Sequence, residues 1–220
     1  MSPTPRVLGA VLYENFELLD LYGPLEMFGS LGPDLQIVTI AETIGPVRSF
    51  QGPKTLAEVD LAGAPKLDLI LVPGGLGTIA ALESAPLLAF LRDRSASADV
   101  TMSVCSGSAI LAKAGILDGR RATSNKQFFD MARVQSDKVS WVEEARWVED
   151  GNVATSSGVS AGTDMALGII ARLYGRDTAQ RIADLTEYQW HSDPTSDPFA
   201  RFLNKGDLGP LVELLETQRS

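Results

Sequence analysis

The chain has 220 residues, enough for one large α/β domain that buries a substantial core without staples. Hydrophobic residues make up 45% of it and the mean hydropathy is +0.05, which excludes a disordered chain. Nineteen basic against 28 acidic residues leave a net charge of −9 and a pI near 4.6, with no Lys or Arg run, so neither nucleic acid nor an anionic membrane is an expected partner.

MSPTPR runs directly into VLGAVLY (7–13), a first strand that ends at Glu14 and leaves no apolar core for a signal peptide. No apolar stretch reaches the ~18 residues of a membrane helix, so a soluble, cytoplasmic protein is expected. Pro24–Leu31 reads as a helix with proline in its first turn. LQIVTIA (35–41) is a second strand, and Val47–Ala57 a small hairpin or excursion bounded by Gly and Pro. LDLILV (67–72), a helix over Ala85–Ala96 and VTMSV (100–104) follow. These short, branched, continuous apolar runs are the pattern of parallel strands buried on both faces. Ser106–Ala114 reads as a helix of small residues that stops at Gly115. RRATS (120–124), VSWVEEARWVED (139–150) and NVATSS (152–157) read as further strands, with Trp141 and Trp147 as packing residues. Ala161–Tyr174 and Thr178–Tyr188 are amphipathic helices separated by Gly175, and a less regular tail from Trp190 to Ser220 closes with a short helix over 210–218. The alternation predicts a single doubly wound, mostly parallel sheet with helices on both faces, its core over about 6–188.

One cysteine and one histidine exclude an internal disulfide and a Cys/His metal site; neither a metal nor an organic cofactor is expected. In open α/β sheets ligands sit beyond the carboxyl ends of the strands. Cys105 stands at such an end, between an apolar strand and a small-residue helix. Free Cys is also among the most buried residue types, so by itself it reads as packing or as a nucleophile on a sharp elbow, its thiolate favoured by the helix terminus. Pro73-Gly74-Gly75 ends the preceding strand, either as a tight turn or as a close backbone approach whose amides meet an anion; the amides of Gly75 and Ser106 would then converge near the sulfur as an oxyanion hole. Asp20, among Leu18, Leu19 and Leu21, reads as a cap or turn residue, or as a buried carboxyl that shares a proton with the thiol; Glu17 is its rival. Thr163 and Asp164 read as a helix cap, with residues 158–160 as an alternative pocket lining.

LLDLYGPLEMF, LVPGGLG, VCSGSAILAKAGILDGRRAT and SSGVSAGTDMALGIIARLYG, in this order, resemble the ThiJ/PfpI superfamily, with the class I glutamine amidotransferase fold, and within it the isonitrile hydratase branch. The resemblance runs from about residue 6 to 188. It implies a flavodoxin-like sandwich, usually a homodimer, without metal or organic cofactor. It places the nucleophile on Cys105, the acidic partner on Asp20, three positions before the GP dipeptide, and the oxyanion amides on Gly75 and Ser106. Ser106 stands where that branch has a reacting Thr. The implied reaction on a small-molecule substrate is cysteine-dependent hydration of an isonitrile to an N-substituted formamide through a thioimidate. A redox-sensing or a hydrolase/amidotransferase-like role is the alternative.

The chain departs from the superfamily where many members carry a His about twenty residues after the Cys. Asn125 stands there, and an amide cannot move a proton at neutral pH. The tail EYQWHSDPTSDPF also departs from the proline-rich stretch of that branch, and it is expected to shape the substrate pocket. His191, the one histidine, reads as a surface or dimer-contact residue beside Trp190, or as a general base oriented by Asp193 in the manner of an amidotransferase triad.

Overall fold

The computed structural model describes residues 5–210 and Glu213, so the closing helix expected over 210–218 lies largely outside the described residues. Seven strands form the main sheet: β1 (Arg6–Val11), β2 (Leu35–Ala41), β5 (Val59–Asp60), β6 (Leu69–Val72), β7 (Val100–Ser103), β10 (Trp147–Asp150) and β11 (Val153–Ser156). Their order is β10-β11-β7-β6-β1-β2-β5, parallel throughout except for β10, which pairs antiparallel with β11 at one edge. Two small ribbons lie outside it. β3 (Gly45–Arg48) and β4 (Lys54–Ala57) form the expected antiparallel hairpin, and β8 (Arg121–Ala122) pairs with β9 (Ser140–Trp141).

The apolar runs are strands because both faces of the sheet are covered. Leu69 and Leu71 of β6 face one core with α1 (Leu18–Gly29), α6 (Ser160–Tyr174) and α7 (Arg176–Leu185). Ile70 and Val72 face the other, with α3 (Ala85–Ser95), α4 (Gly107–Lys113) and α5 (Phe129–Arg133). That period of two is what a doubly wound sheet requires. From β1 the chain winds outward to β2 and then returns on the other side through β6 and β7. The ends of β1 and β6 therefore border a topological switch point, where such folds keep their ligands.

Two expectations need correction. The first helix starts at Leu18, not Pro24, and takes Pro24 into its interior. An interior proline loses a hydrogen bond. Burial of Leu21, Pro24, Met27 and Phe28 outweighs that loss, and a Cβ on Gly23 would lie 2.4 Å from Thr163 Oγ1 of α6, so the two helices meet very closely there. The stretch 139–150 is two short strands rather than one, because Pro194 O in the tail accepts the N–H groups of both Arg146 and Trp147. Short elements also go unsignalled: β5, α5 and the single turn α2 (Thr78–Ala81).

The tail is not an appendage. The Arg146 guanidinium donates from Nε to Asp164 Oδ2 at 2.7 Å and lies 3.8 Å from Asp197 Oδ1, all three side chains being buried. Asp164 Oδ1 accepts the Tyr188 hydroxyl (3.0 Å) and the His191 N–H (2.9 Å). Asp164 is therefore the anchor of the tail on α6 and not a helix cap.

Candidate active site

Cys105 has φ +57°, a left-handed conformation that a side-chain-bearing residue holds only when its surroundings over-determine it. Its N–H donates to Ser157 O at 3.1 Å, and its C=O accepts the hydroxyls of Ser108 (3.1 Å) and Ser124 (3.3 Å). Gly107, two residues on, has no room for a side chain: a Cβ would lie 2.4 Å from Val72 O. The elbow expected from Cys-Ser-Gly is thus built by four clamps, and it leaves the thiol 8% exposed.

Asp20, the third residue of α1, is fully buried and accepts the Gly74 N–H at Oδ2 (2.9 Å). Its Oδ1 is buried without a hydrogen-bond partner, and the Cys105 thiol and the Val159 N–H act on the carboxyl as a whole. Burial, with the Glu17 charge adding, pushes this carboxyl up to about 8. Burial also pushes the Cys105 thiol up, and the Asp20 charge adds to it, while the Ser106 N–H and the Asn125 amide pull it back. At neutral pH both members of the pair hold their protons. The expected lowering of the thiol by the helix terminus is overcome by desolvation.

Asn125 donates from Nδ2 to Sγ at 3.0 Å. Its orientation follows from its other end, since Oδ1 accepts the Phe128 N–H at 3.1 Å, leaving the NH2 group to face the sulfur. Asn125→Ala is expected to raise the thiol pKa further and to slow iodoacetamide alkylation at pH 8 about three- to tenfold. Alkylation at the parent rate would show that this contact is idle.

The expected oxyanion pair of Gly75 and Ser106 is only half available. Gly75 N–H donates to Ser106 Oγ at 3.0 Å, while the Ser106 N–H acts on Cys105; Gly74 N–H is held by Asp20. Ser106 Oγ in turn contacts Thr78 Oγ1 (2.9 Å), which contacts the Tyr13 hydroxyl (3.1 Å), which donates to Pro73 O (2.6 Å). A backbone N–H at one end and a carbonyl at the other set the direction of this chain: each hydroxyl donates to the next, from Ser106 through Thr78 to Tyr13. The Ser106 hydroxyl is thereby bonded within the loops and not offered to the reacting group.

Glu17 lies at the mouth, its N–H on Gly74 O (2.8 Å) and its carboxylate accepting from Gln51 Nε2, so it acts on the pair through its charge alone. His191 stays apart: its imidazole is exposed in the tail, Asp193 is turned to Thr195, and among the described residues no hydrogen bond joins either to Cys105 or Asp20. Residues 157–160 do line a cavity of about 180 Å³ beside Asn125. Val159, read from sequence only as a pocket-lining alternative within 158–160, acts on Asp20 with φ +37°, an outlier for a branched residue. One neighbour of the site escapes sequence reading. Lys126, beside Asn125, is 2% exposed, and burial lowers its ammonium to about 8.

Comparison with known proteins gives these arrangements a lineage. The chain is 36% identical over 181 residues to an isonitrile hydratase from Pseudomonas putida, covering 82% of this chain and 78% of that one. It is 28% identical over 222 residues to the transcriptional regulator GbdR of Pseudomonas aeruginosa, covering 96% of this chain and 60% of the regulator. The crystal structure of a ThiJ/PfpI family protein from Pseudomonas syringae superposes with a TM-score of 0.78 at 32% identity, over 98% of this chain and 86% of that one. The DJ-1/PfpI family pattern spans residues 6–172, from β1 through the elbow into α6, and with the parallel sheet and the strained cysteine already described it places the chain in the DJ-1/PfpI family.

Proposed function

We propose that the protein hydrates an isonitrile to an N-substituted formamide, with Cys105 as nucleophile and Asp20 as proton relay. The observation that carries this reading is the pairing of a buried thiol with a buried, neutral carboxylic acid and no imidazole. An acyl hydrolase needs a base and an oxyanion hole, and here the Gly75 amide is taken and Asn125 stands in place of a histidine. Addition of a thiol to R–N≡C needs no oxyanion hole and no imidazole. It needs one proton to travel from sulfur to the terminal carbon.

A carboxylic acid does this with its two oxygens. One gives its proton to the isonitrile carbon while the other takes the thiol proton, and the S–C bond forms to give the thioimidate R–N=CH–S–Cys105. Water then adds to that carbon, one Asp20 oxygen taking its proton while the other gives one to the nitrogen, to form R–NH–CH(OH)–S–Cys105. The C–S bond breaks as Asp20 relays the hydroxyl proton to sulfur, and R–NH–CHO leaves with the thiol restored. The Asn125 amide and the Ser106 N–H lie where they stabilise sulfur as it departs with negative charge. Similarity to the hydratase over four-fifths of the chain supports the same reaction. Low exposure and a raised thiol pKa run against a redox sensor, whose cysteine is an accessible thiolate.

Purified protein mixed with cyclohexyl isonitrile is expected to release N-cyclohexylformamide, and Cys105→Ala to release none. Because Asp20 must begin protonated, kcat/KM is expected to fall about tenfold per pH unit once the pH exceeds its pKa of about 8. No formamide at millimolar substrate would sink the reading.

A further inference from the structure

The cavity beside Asn125 has a wall that this chemistry leaves unused. Phe199 and Phe202 are 49% and 38% exposed, and their rings stack with centroids 6.4 Å apart at 26°. Both line the cavity of about 180 Å³ whose far side is Asn125, Gly158 and Val159. Asn125 is also the donor to Sγ, and Val159 acts on Asp20, so the cavity and the reacting pair share their walls.

The loop that carries the rings is pinned at both ends. Asp197 N–H donates to Glu144 O (2.8 Å), and Asp197 Oδ1 accepts the Phe199 N–H (2.9 Å) while facing Arg146. Beyond the rings, Asn204 N–H donates to Lys126 O (2.8 Å), Asn204 Oδ1 accepts the Asp130 N–H (2.9 Å), and Gly206 N–H donates to Gln127 O (3.0 Å). The Arg201 guanidinium lies over the Phe202 ring, 4.9 Å from its centroid. An anchored loop that still leaves two stacked rings this exposed beside a cavity carries a hydration cost unless a ligand covers them.

The lining sets the chemistry of that ligand. Lys126 is its one ionisable residue, and its ammonium is turned away, donating to Ala145 O (2.7 Å) and Thr123 Oγ1 (2.9 Å). An apolar cavity of about 150 Å³ holds a benzene, so one ring fits here. We propose that Phe199 and Phe202 form the subsite for the organic substituent of the substrate, and that this substituent is an uncharged aryl group. The proposal rests on the hydratase reading for the identity of the reacting end, but occupancy of the subsite needs no reaction.

The test is therefore a binding measurement. Titration calorimetry with N-benzylformamide and N-methylformamide, on the parent and on F199A/F202A, is expected to show the benzyl compound bound about tenfold more tightly by the parent and less than about threefold by the variant. Equal binding of the two by the parent, no binding at millimolar concentration, or an unchanged ratio in the variant would each overturn the proposal. Should the double variant melt early, F199L and F202L singly serve in its place, each with an intermediate ratio expected. Turnover of cyclohexyl isonitrile is read separately, so loss of the reaction and loss of the subsite are told apart.

Discussion

Asp20→Asn is expected to make Cys105 more acidic and the protein far less active. The Asp20 charge is one of the causes holding the thiol up, so a neutral amide at that position lets its alkylation profile shift to lower pH. Turnover nevertheless depends on a group that both gives and takes a proton, and an amide does neither. A loss of about 10²- to 10⁴-fold in kcat is the size such a relay carries. The same substitution has a signature in stability. The folded carboxyl titrates at about 8 against 3.8 for a free one, so the folded chain holds a proton that the unfolded chain releases. Stability contributed by this group is fully present below pH 3.8, is lost as the pH rises toward about 8 and then levels off. The melting temperature of Asp20→Asn relative to the parent should accordingly climb across that window. Allowing for the amide's poorer fit to the Gly74 and Val159 amides, a gain of roughly 2–3 kcal/mol at pH 8 is expected, some 5–10 °C for a domain of this size. Parent-like turnover in this variant, or a gap that is largest at acid pH, would remove Asp20 from its assigned role.

Gly74→Ala is expected to abolish activity while leaving every titratable group in place. A Cβ there would lie 2.6 Å from Ser106 N, 2.7 Å from Ser106 Oγ and 2.9 Å from Asp20 Oδ2. The first of these is backbone of the elbow and cannot yield without moving the sulfur. The methyl group thus drives the carboxyl and the elbow apart. A displacement of about 1 Å in a reacting pair costs on the order of 10²-fold or more in rate. Overpacking of this kind removes about 1–3 kcal/mol of stability, which a domain with a core on both faces survives. Urea titration and a formamide assay on the same preparation separate the two effects. A folded Gly74→Ala protein with parent activity would show that the close approach of the two strand ends serves only packing.

Much of this architecture can be read in the chain, and the parts that cannot share a cause. The buried parallel strands announce themselves because an apolar run four to seven residues long has few other destinations. Cys105 and Asp20 are candidates with two readings each from local context, Asn125 is marked only by the family resemblance, and the structure brings the three together. What local context cannot carry is partnership across long separations. The Gly75 N–H pairs with the Ser106 side chain, far from it in sequence, so an amide that looks available at the level of the motif is in fact occupied. Pro24 signals a helix start, but the start is decided by contacts with α6, more than a hundred residues on. The strand-like alternation of 139–150 is broken by a carbonyl from Pro194.

The Arg146–Asp164–Asp197 anchor sets where this protein can be cut. The family pattern ends at residue 172 and the regular helices at Leu185, which makes the remainder look like a removable extension. Truncation there would strip Asp164 of Tyr188 and His191 and leave a buried guanidinium short of one carboxylate. It would also take away the strand-end cap that Pro194 gives β10. For fusion, domain grafting or comparison with multidomain relatives, the unit to move runs at least through Gly206.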